Sequence, residues 1–583
     1  MPLTTTDFLL QGVQKPARYT GGELGAVVKD LAGVALRACF CFPDTYEIGM
    51  SHLGLQILYG VANAIPDVWC ERAFAPWNDM EELLREYGAK LPSLESGTPL
   101  SGFGVLAFTL QYELCYTNVL NMLELGGVPL PREARGERDP VVIAGGPCAF
   151  NPEPMADFID AFAVGDGEDS FPEMLNIIKL KLPRRETLER LSRVEGVYVP
   201  AFPRPTVKRI VKDLDAAYYP AKPLVPNTEV VHDRVMAELF RGCIRGCRFC
   251  QAGFATRPVR ERRAETLAEQ GIKALNWSGC EEIALTSLSS SDYPGLEDLA
   301  DKLLEYCEPK RISLSLPSLR ADSFSRELLQ KVQKVRKSGL TFAPEAGTAR
   351  LRDVINKNLS EEALLNACSL AFEGGWNNIK LYFMLGLPTE TDDDILGIAA
   401  LAEKVYFTWR QKTPDRSRGV RITVSVSCFV PKPLTPFQWC AQDSVEEFRR
   451  KQSLLKKALR KQMNYQWHDP ETSVLEGAFA RGDRRLGAVI LSAHKAGCRM
   501  DAWKEHFNFA AWEKAFAEHD MPLSGPEFDT KKPLPWDYIS AGVTDAFLKR
   551  EYNRAINGEP TPDCRSECSD CGASALTGGA CNA

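Results

Sequence analysis

The chain has 583 residues, 44% of them apolar and 25% charged, which is typical of a globular protein of two to four domains. A net charge of −7 gives no overall reason to expect nucleic-acid binding, no apolar run reaches the roughly 18 residues of a membrane span, and residues 1–19 lack the apolar core of a secretory signal. We therefore expect a cytoplasmic protein without membrane partners, whose 18 cysteines stay reduced as core residues or metal ligands.

Residues 1–180 alternate short apolar runs with amphipathic stretches. Strands are predicted over 35–42, 105–110, 141–144 and 161–164, with helices over 51–64, 115–125 and 168–180. This alternation predicts an α/β domain with a parallel, doubly wound, Rossmann-like sheet. The glycines at 145–146 and 165–167 fall at strand ends, where such sheets bind ligands. A proline-rich stretch over 181–230 is predicted to be a connector.

The alternation resumes over residues 231–440. Strands are predicted over 235–240, 282–286, 312–316, 340–343, 379–383 and 422–427, separated by helices over 264–276, 297–306, 323–337, 361–372 and 393–406. Six strand-helix units predict a partial (β/α)6 barrel whose reactive site lies at the carboxyl ends of its strands. Residues 441–560 are predicted to form a mainly helical accessory region, and 561–583 a cysteine-rich tail.

Cys243, Cys247 and Cys250 follow the first predicted strand of this barrel with the spacing Cys-x3-Cys-x2-Cys. Three thiolates can hold three corners of an iron–sulfur cube and leave the fourth iron open to a small molecule. Zinc is the alternative, but zinc usually takes four ligands, and no Cys-x2-Cys or His-x3-His partner follows within the next hundred residues. With the aromatic Phe249 before the third cysteine, the motif resembles that of the radical S-adenosylmethionine (SAM) enzymes.

This resemblance implies an enzyme in which Cys243, Cys247 and Cys250 are catalytic and ligate a 4Fe-4S cluster. The amino and carboxylate groups of SAM would chelate the open iron. An electron from a reductant such as flavodoxin or ferredoxin would cleave SAM to methionine and a 5'-deoxyadenosyl radical, which is chemistry of the cofactor that the protein positions and shields.

The loops that follow the later strands resemble those of radical SAM methylthiotransferases. The candidates for contacts with SAM are Phe249, Thr286, Ser287, Ser289, Ser315, Glu345 and Gly386. A Gly-Gly-Glu common in relatives after the second strand is absent. For the serines, helix capping is an equal alternative. Glu345 can accept hydrogen bonds from a ribose or ammonium group, and Gly386 permits close backbone approach or simply ends a strand.

The N-terminal region resembles a cobalamin-binding domain fused ahead of the barrel. In the run that corresponds to the cobalamin loop, Tyr46 takes the place of the axial histidine, and His52 has the wrong spacing. Cobalamin binding and a degenerate domain for substrate docking both stay open. Over about residues 20–440 the chain resembles an uncharacterised radical SAM family with this type of N-terminal extension.

The tail repeats the Cys-x3-Cys-x2-Cys spacing at Cys564, Cys568 and Cys571, with Cys581 ten residues further on. Four thiols can close a zinc site or an auxiliary iron–sulfur cluster. The alternative is a disordered tail with free thiols.

Two basic sets could contact RNA. The first surrounds the cysteine motif and comprises Arg241, Arg245, Arg248, Arg257, Arg260, Arg262 and Arg263, and the second lies on the predicted helix around 449–461. The arginines could instead stabilise cluster charge, and the helix could be a solvated amphipathic helix. The preferred hypothesis is methyl or methylthio transfer to RNA or protein. The alternatives are a non-catalytic, metal-dependent RNA-binding protein and an iron–sulfur electron-transfer scaffold.

Overall fold

The computed structural model describes residues 8–317, 320–323, 339–413, 417, 419–579 and 581, and its α/β character agrees with the prediction. The first sheet has six strands in the order β2-β1-β3-β4-β5-β6, all parallel except for the β5–β6 pair. The strands are β1 Leu36–Phe42, β2 Val68–Phe74, β3 Val105–Thr109, β4 Val141–Gly145, β5 Ala161–Ala163 and β6 Val197–Tyr198. The sheet therefore extends past residue 180, into the stretch predicted to be a connector.

Helices cover both faces of this sheet. They are α1 Tyr46–Gly49, α2 Leu53–Asn63, α3 Asn78–Glu86, α4 Tyr116–Leu125, α5 Gly167–Ile178 and α6 Arg184–Leu191. Alternate side chains of β1 point to opposite faces. Ala38 and Phe40 pack in the cluster that includes α2 and α5, whereas Cys39 and Cys41 pack in the cluster that includes α4. The two cysteines are thus small core residues, as predicted.

Strand β2 was not predicted from the sequence, because charged residues interrupt its apolar run. Glu71 and Arg72 lie in mid-strand and are fully buried. The Arg72 guanidinium donates to Glu23 at 2.7 Å and to Glu95 at 2.7 Å, and Glu71 pairs with Arg37. Buried charges need such partners, so the segments that carry Glu23, Glu95 and Arg37 stabilise the strand. These partners are distant in sequence, so no local pattern predicts the strand.

All six strands predicted for the second region are present. β8 Val235–Glu238, β11 Glu282–Thr286 and β12 Ser313–Ser315 form one parallel sheet; β13 Leu340–Glu345, β14 Asn378–Leu385, β15 Arg421–Cys428 and the unpredicted β16 Asn464–Trp467 form another. In the described residues, β12 is an edge strand of the first of these sheets and β13 is an edge strand of the second, and the two strands do not pair. The short pairs are β7 Thr206–Val207 with β17 Ile539–Ser540, and β9 Phe240–Arg241 with β10 Arg260–Glu261.

The helices of this second region follow the predicted alternation. They are α7 Gln251–Ala255, α8 Ala264–Ser278, α9 Leu296–Lys310, α10 Ala349–Val354, α11 Glu361–Glu373 and α12 Asp392–Lys412. Most of the helix predicted over 323–337 falls outside the described residues. Within the described residues, no helix has both the length and the apolar character needed to cross a membrane.

The C-terminal region contains helices and packs against the first sheet. Its helices are α13 Val445–Ala458, α14 Pro470–Arg481, α15 Leu486–Lys495, α16 Phe509–Glu518 and α17 Asp545–Ile556. Val489 and Ile490 of α15 and Trp512 of α16 belong to the same apolar cluster as Val119 and Leu123 of α4. The region is therefore part of the core that supports the N-terminal sheet.

One buried carboxyl group joins the two regions. Asp501 accepts hydrogen bonds from the Thr117 hydroxyl at 2.6 Å and from the Trp512 indole at 2.9 Å. Burial raises the pKa of Asp501 to about 6, although both hydrogen bonds lower it. Since an unfolded aspartate has a pKa of about 3.9, the folded protein keeps a proton that the unfolded chain releases between these values.

We expect Asp501→Asn to remove a loss of stability that the wild type suffers as the pH rises from about 4 to 6. The amide keeps an acceptor for Trp512 and carries no charge. The stability gain of the variant over the wild type should therefore be about 1 kcal/mol larger at pH 8 than at pH 5, measured from thermal unfolding under anaerobic conditions. An equal gain for the exposed control Asp520→Asn, or a gain that does not depend on pH, would contradict this account.

Candidate functional site

The cysteine motif lies directly after the first strand of the second region. β8 ends at Glu238, and Cys243, Cys247 and Cys250 follow within the next twelve residues. Gly242 has a φ of 93°, and a Cβ there would lie 2.7 Å from the carbonyl oxygen of Pro258, so only glycine fits this turn. The Cys250 thiol caps α7 by accepting a hydrogen bond from the Gly253 amide at 3.3 Å. The strand end and the helix start thus fix both ends of the loop.

The three thiols are neighbours in a partly buried space. Burial raises the pKa of Cys243 to about 11, with Cys247 adding to the effect, and burial raises the pKa of Cys250 to about 12, with Cys247 and Cys243 adding to it. Among the described residues, no three His, Cys, Asp or Glu side chains converge as a single metal ion requires. The thiolates of an iron–sulfur cube bind different irons and need not converge on one point, so this donor set fits a cube.

Positive charge lies near these thiols on Arg320, which follows β12, and on Lys357, which follows α10. Lys357 is within electrostatic reach of Cys247 and Cys250, and Arg320 of Cys247. Burial lowers the pKa of Lys357, but Glu345 and Cys247 outweigh burial and raise it. A cluster held by three thiolates is anionic, so these cations would stabilise its charge. Neither residue was predicted from the sequence, because both become neighbours of the motif only through the fold.

Glu345 lies at the end of β13 and is linked to the motif through Lys357. Its carboxylate accepts from the Lys357 ammonium at 3.2 Å. Its φ of 68° is left-handed, which is uncommon for a residue with a Cβ and occurs where the surroundings enforce it, often at functional sites. The structure therefore brings Glu345 toward the cysteines, and its contact with SAM stays a prediction.

Phe249, the aromatic of the motif, packs against an apolar cluster at the ends of two strands. This cluster includes Met384, Leu387 and Phe429, from the ends of β14 and β15 and the loops that follow them. The motif thereby spans from the three-stranded to the four-stranded sheet.

The predicted serine and threonine contacts have hydroxyls that are engaged within the protein. Thr286 donates to the Ala237 carbonyl at 3.2 Å, and Ser315 donates to Glu282 at 2.7 Å. Ser287 contacts the hydroxyl of Ser290 at 3.2 Å, and Ser289 donates to Asp292 at 2.6 Å. Since Asp292 pairs with Arg245 of the motif, Ser289 supports the cysteine loop through that carboxylate.

Gly386 follows β14, and its conformation is explained by packing. Its φ is 83°, its amide donates to Glu390 at 2.8 Å, and a Cβ would lie 2.6 Å from the Phe448 ring and 2.8 Å from the Asp443 carboxylate. The close neighbours of this glycine are therefore side chains of the chain itself.

Most of the arginines around the motif are paired within the chain and little exposed, and their contact with RNA stays a prediction. All but Arg257 of the seven pair with carboxylates, and those pairs are Arg241 with Glu168 and Glu238, Arg245 with Asp292 and Asp563, Arg248 with Glu551, Arg260 with Asp166, Arg262 with Glu238, and Arg263 with Asp215. Only Arg263 is exposed to a large degree.

The second basic set lies on α13, an amphipathic helix. Phe448 and Leu455 are buried on its apolar face. Its Arg449, Arg450 and Lys451 pair with acidic side chains. The helix is therefore amphipathic, as one of the two interpretations predicted, and these three cations are paired within the chain.

Tyr46, at the histidine position of the cobalamin-like run, is committed to a buried network. Its hydroxyl donates to Glu23 at 2.9 Å and accepts from the Asn227 amide at 3.1 Å. His52 caps α2 by accepting from the Leu55 amide at 3.3 Å. Both side chains therefore already have structural partners.

The tail docks on the cysteine loop. The Cys564 amide donates to the Ile244 carbonyl at 3.0 Å, and Asp563 pairs with Arg245 at 3.2 Å. The four tail thiols are electrostatic neighbours of one another. This docking was not foreseen, because no local pattern connects residues more than 300 positions apart.

Comparison with known proteins identifies the class. A family model described as the radical SAM superfamily matches residues 237–402, and one described as radical SAM proteins, N-terminal, matches residues 54–200. The chain belongs to the radical SAM superfamily, whose members bind a 4Fe-4S cluster and SAM. Its sequence is 32% identical over 474 residues to the uncharacterized protein MJ0966 of Methanocaldococcus jannaschii, covering 80% of this chain and 92% of that protein.

The fold is similar to that of one solved structure, and a second matches with a TM-score just under 0.5. The radical SAM methyltransferase TsrM from Kitasatospora setae, with cobalamin and a [4Fe-4S] cluster bound, is 14% identical with a TM-score of 0.50, covering 69% of this chain and 77% of that chain. The cobalamin-dependent SAM radical enzyme OxsB, with aqua-cobalamin and SAM bound, is 12% identical with a TM-score of 0.48, covering 83% and 70% of the two chains.

Arg248 shows how strongly the loop depends on the C-terminal region. It is fully buried, pairs with Glu551 of α17 at 3.1 Å, and donates to the carbonyls of Val354 and Glu559. We expect Arg248→Leu to cost about 3–5 kcal/mol of stability, because it leaves Glu551 buried without its partner, and to lower the iron retained after anaerobic purification.

The matched control is Arg263→Leu, in the same segment but exposed, which should change neither property appreciably. Arg248→Met combined with Glu551→Leu should recover much of the stability lost in the single variant. Anaerobic thermal unfolding and iron analysis measure both effects. Equal losses in the Arg248 and Arg263 variants would contradict the assigned role.

Proposed function

We propose that this radical SAM enzyme transfers a methyl or methylthio group to a macromolecular substrate. The observation that carries the radical chemistry is the cysteine trio at a strand end, facing Lys357 and Arg320. When bound, the cluster supplies the electron that cleaves SAM to methionine and a 5'-deoxyadenosyl radical. The chain's own residues hold this loop, balance its charge and seat SAM.

Glu345 is the residue we assign to SAM. Its carboxylate is anchored by Lys357 and stays partly exposed, so its other lone pairs can accept from the ribose hydroxyls or the ammonium group. Phe249 and its apolar neighbours close the adjacent side of the site and exclude water. Radical chemistry benefits from that exclusion because water-filled sites permit side reactions.

Transfer of a methyl or methylthio group is supported by the similarity in fold to a radical SAM methyltransferase. The carboxyl edge of the N-terminal sheet faces the second region, where Lys432 contacts Glu113 at 2.6 Å and Arg241 contacts Glu168 at 2.5 Å. Because the two basic sets are largely neutralised within the chain, we favour a protein over an RNA substrate.

We include cobalamin as a candidate cofactor in this proposal, but the space at the strand ends is too small for it in this conformation. The cavity at the strand ends, lined by Thr109, Gly145, Gly146 and Gly165 among others, measures about 70 Å³, far less than a corrin ring. Cobalamin at this edge therefore requires neighbouring loops to move apart, and Tyr46 would not supply its axial ligand. The visible spectrum of protein purified from cobalamin-supplied cells tests this directly, since a bound corrinoid absorbs there.

Cys243→Ala should abolish the formation of 5'-deoxyadenosine from SAM under reducing, anaerobic conditions, because the cluster loses one of its three thiolates. The measurement is chromatographic quantification of 5'-deoxyadenosine per chain. Cys280→Ala, which removes a partly buried thiol outside the motif, should retain wild-type formation. Wild-type yields in the Cys243 variant would disprove radical chemistry at this loop.

Glu345→Gln should raise the KM for SAM about tenfold, the effect of about 1.4 kcal/mol expected for one hydrogen bond to a charged group. Maximal 5'-deoxyadenosine formation at saturating SAM and the iron content should change little. Glu345→Asp should recover part of the affinity. If the glutamine variant instead loses iron while its KM is unchanged, Glu345 acts on the loop through Lys357 and not on SAM.

A further inference from the structure

The cysteine-rich tail folds back into a compact unit on the cysteine loop. Its backbone is held at Ile244 by the Cys564 amide, at Asn356 by the Thr561 amide at 2.7 Å, and at Cys571 by the Thr544 amide, which donates to its carbonyl at 2.9 Å. Asn356 in turn donates to the Gly246 carbonyl of the loop at 3.1 Å. The same asparagine therefore contacts both the tail and the motif.

The fold of the tail gathers its four thiols. Cys581 is separated from Cys571 by a short helical turn over Ala573–Thr577 with left-handed glycines on both sides, and it returns within electrostatic reach of Cys564, Cys568 and Cys571. Burial raises the pKa of Cys564, and Cys571 and Cys568 add to this effect, whereas Arg257 lowers it. Cys568 and Cys581 are exposed, while Cys564 and Cys571 are partly buried.

The environment of Arg257 is a second observation, independent of the cysteine spacing, that points to a metal site at the tail. It is only 3% exposed, and its Nε and Nη1 have no hydrogen-bond partner among the described residues. Its remaining nitrogen donates to the Arg245 carbonyl at 2.9 Å, and its guanidinium lies 4.9 Å from the Phe254 ring centre. Burying a cation with unmet donors is costly unless an anion faces it.

Metal-bound thiolates on both sides would supply that anion. Arg257 is within electrostatic reach of Cys243 of the motif and of Cys564 and Cys581 of the tail. Thiolates bound to iron, with their sulfide bridges, accept hydrogen bonds that tune the cluster's potential. We propose that Cys564, Cys568, Cys571 and Cys581 ligate a second iron–sulfur cluster, with Arg257 lying between it and the cluster at Cys243.

An iron–sulfur cluster suits this donor set better than zinc. The tail repeats the Cys-x3-Cys-x2-Cys spacing of the motif, and the buried Arg257 beside it has two unmet donors that suit the sulfide-rich, anionic surface of a cluster. Four thiolates fill the coordination of a cube, so the tail cluster cannot bind SAM and can only pass electrons or hold the fold. Because Cys568 and Cys581 are exposed, such a cluster would lie near the protein surface.

The position points to electron entry. A reduced flavodoxin- or ferredoxin-type protein would give one electron to the tail cluster, which passes it to the cluster at Cys243, where SAM consumes it. The donor is oxidised by one electron, the tail cluster returns to its starting state, and no bond or proton moves in the relay. This role rests on the proposed function, whereas the site itself does not.

Iron and sulfide analysis with EPR of anaerobically purified full-length protein tests the site. We expect about eight irons and eight sulfides per chain in the wild type, about four after substituting Cys243, Cys247 and Cys250 by alanine, and about four in Cys568→Ala/Cys571→Ala. Four irons in the wild type that all disappear with the motif cysteines would overturn the proposal, as would one zinc per tail.

The relay has its own test. In Cys568→Ala/Cys571→Ala, the rate of 5'-deoxyadenosine formation with reduced flavodoxin, divided by the rate with dithionite, should fall at least tenfold, and Cys280→Ala should leave this ratio unchanged. An unchanged ratio would reject electron entry. If no variant and no wild-type sample cleaves SAM while eight irons are present, the proposed function fails and the second site stands.

Arg257→Met separates a charge effect from a structural one. Loss of the positive charge should move the midpoint potentials of both clusters to more negative values in EPR-monitored titrations, and Arg257→Lys should restore most of the shift. Potentials equal to those of the wild type in the methionine variant would show that Arg257 does not lie between two clusters.

Discussion

The buried ion pairs around the cysteine loop are the constraint on which this structure depends. Arg241 ties the loop to acidic residues after β5, Arg245 to Asp292 and the tail, and Arg248 to α17. Each of these cations is removed from water and is therefore stable only with its partner in place. The loop thus acquires its shape from three parts of the chain that are distant in sequence.

This dependence explains why the N-terminal sheet, the second region and the C-terminal region cannot be treated as independent units. The α4 face of the first sheet shares one apolar cluster with α15 and α16, and its carboxyl edge meets the second region through Glu113 and Lys432. Burial lowers the pKa of Lys432, but Glu113 and Glu476 outweigh burial and raise it. The lysine therefore stays charged at this junction, which favours a fixed contact between the two edges.

The sequence predicted most of the regular elements and the central motif, because both leave local signals. Apolar runs indicated β1, β3, β4 and β5 and, in the second region, β8, β11, β12, β13, β14 and β15, and the spacing of three cysteines indicated the cluster. β2 was not predicted because Glu71 and Arg72 interrupt its apolar run, and β16 was not predicted because it is short and largely exposed. The sequence left open what the arginine set contacts, because a list of cations does not show its carboxylate partners. Lys357 escaped for a related reason, since its neighbour Cys247 is 110 positions away.

Arg257 is informative because two of its hydrogen-bond donors have no partner among the described residues. The other six arginines of its set have carboxylates, and their burial is explained within the chain. Arg257 has aromatic rings and one carbonyl, which leave two donors unpaired in a buried place. An anion facing these two donors in the working protein would offset that cost. The nearby groups that can become anionic are the thiols of the motif and of the tail, and metal binding is what makes thiols anionic at neutral pH. The charge of Arg257 therefore connects the two sets of cysteines more firmly than their repeated spacing does.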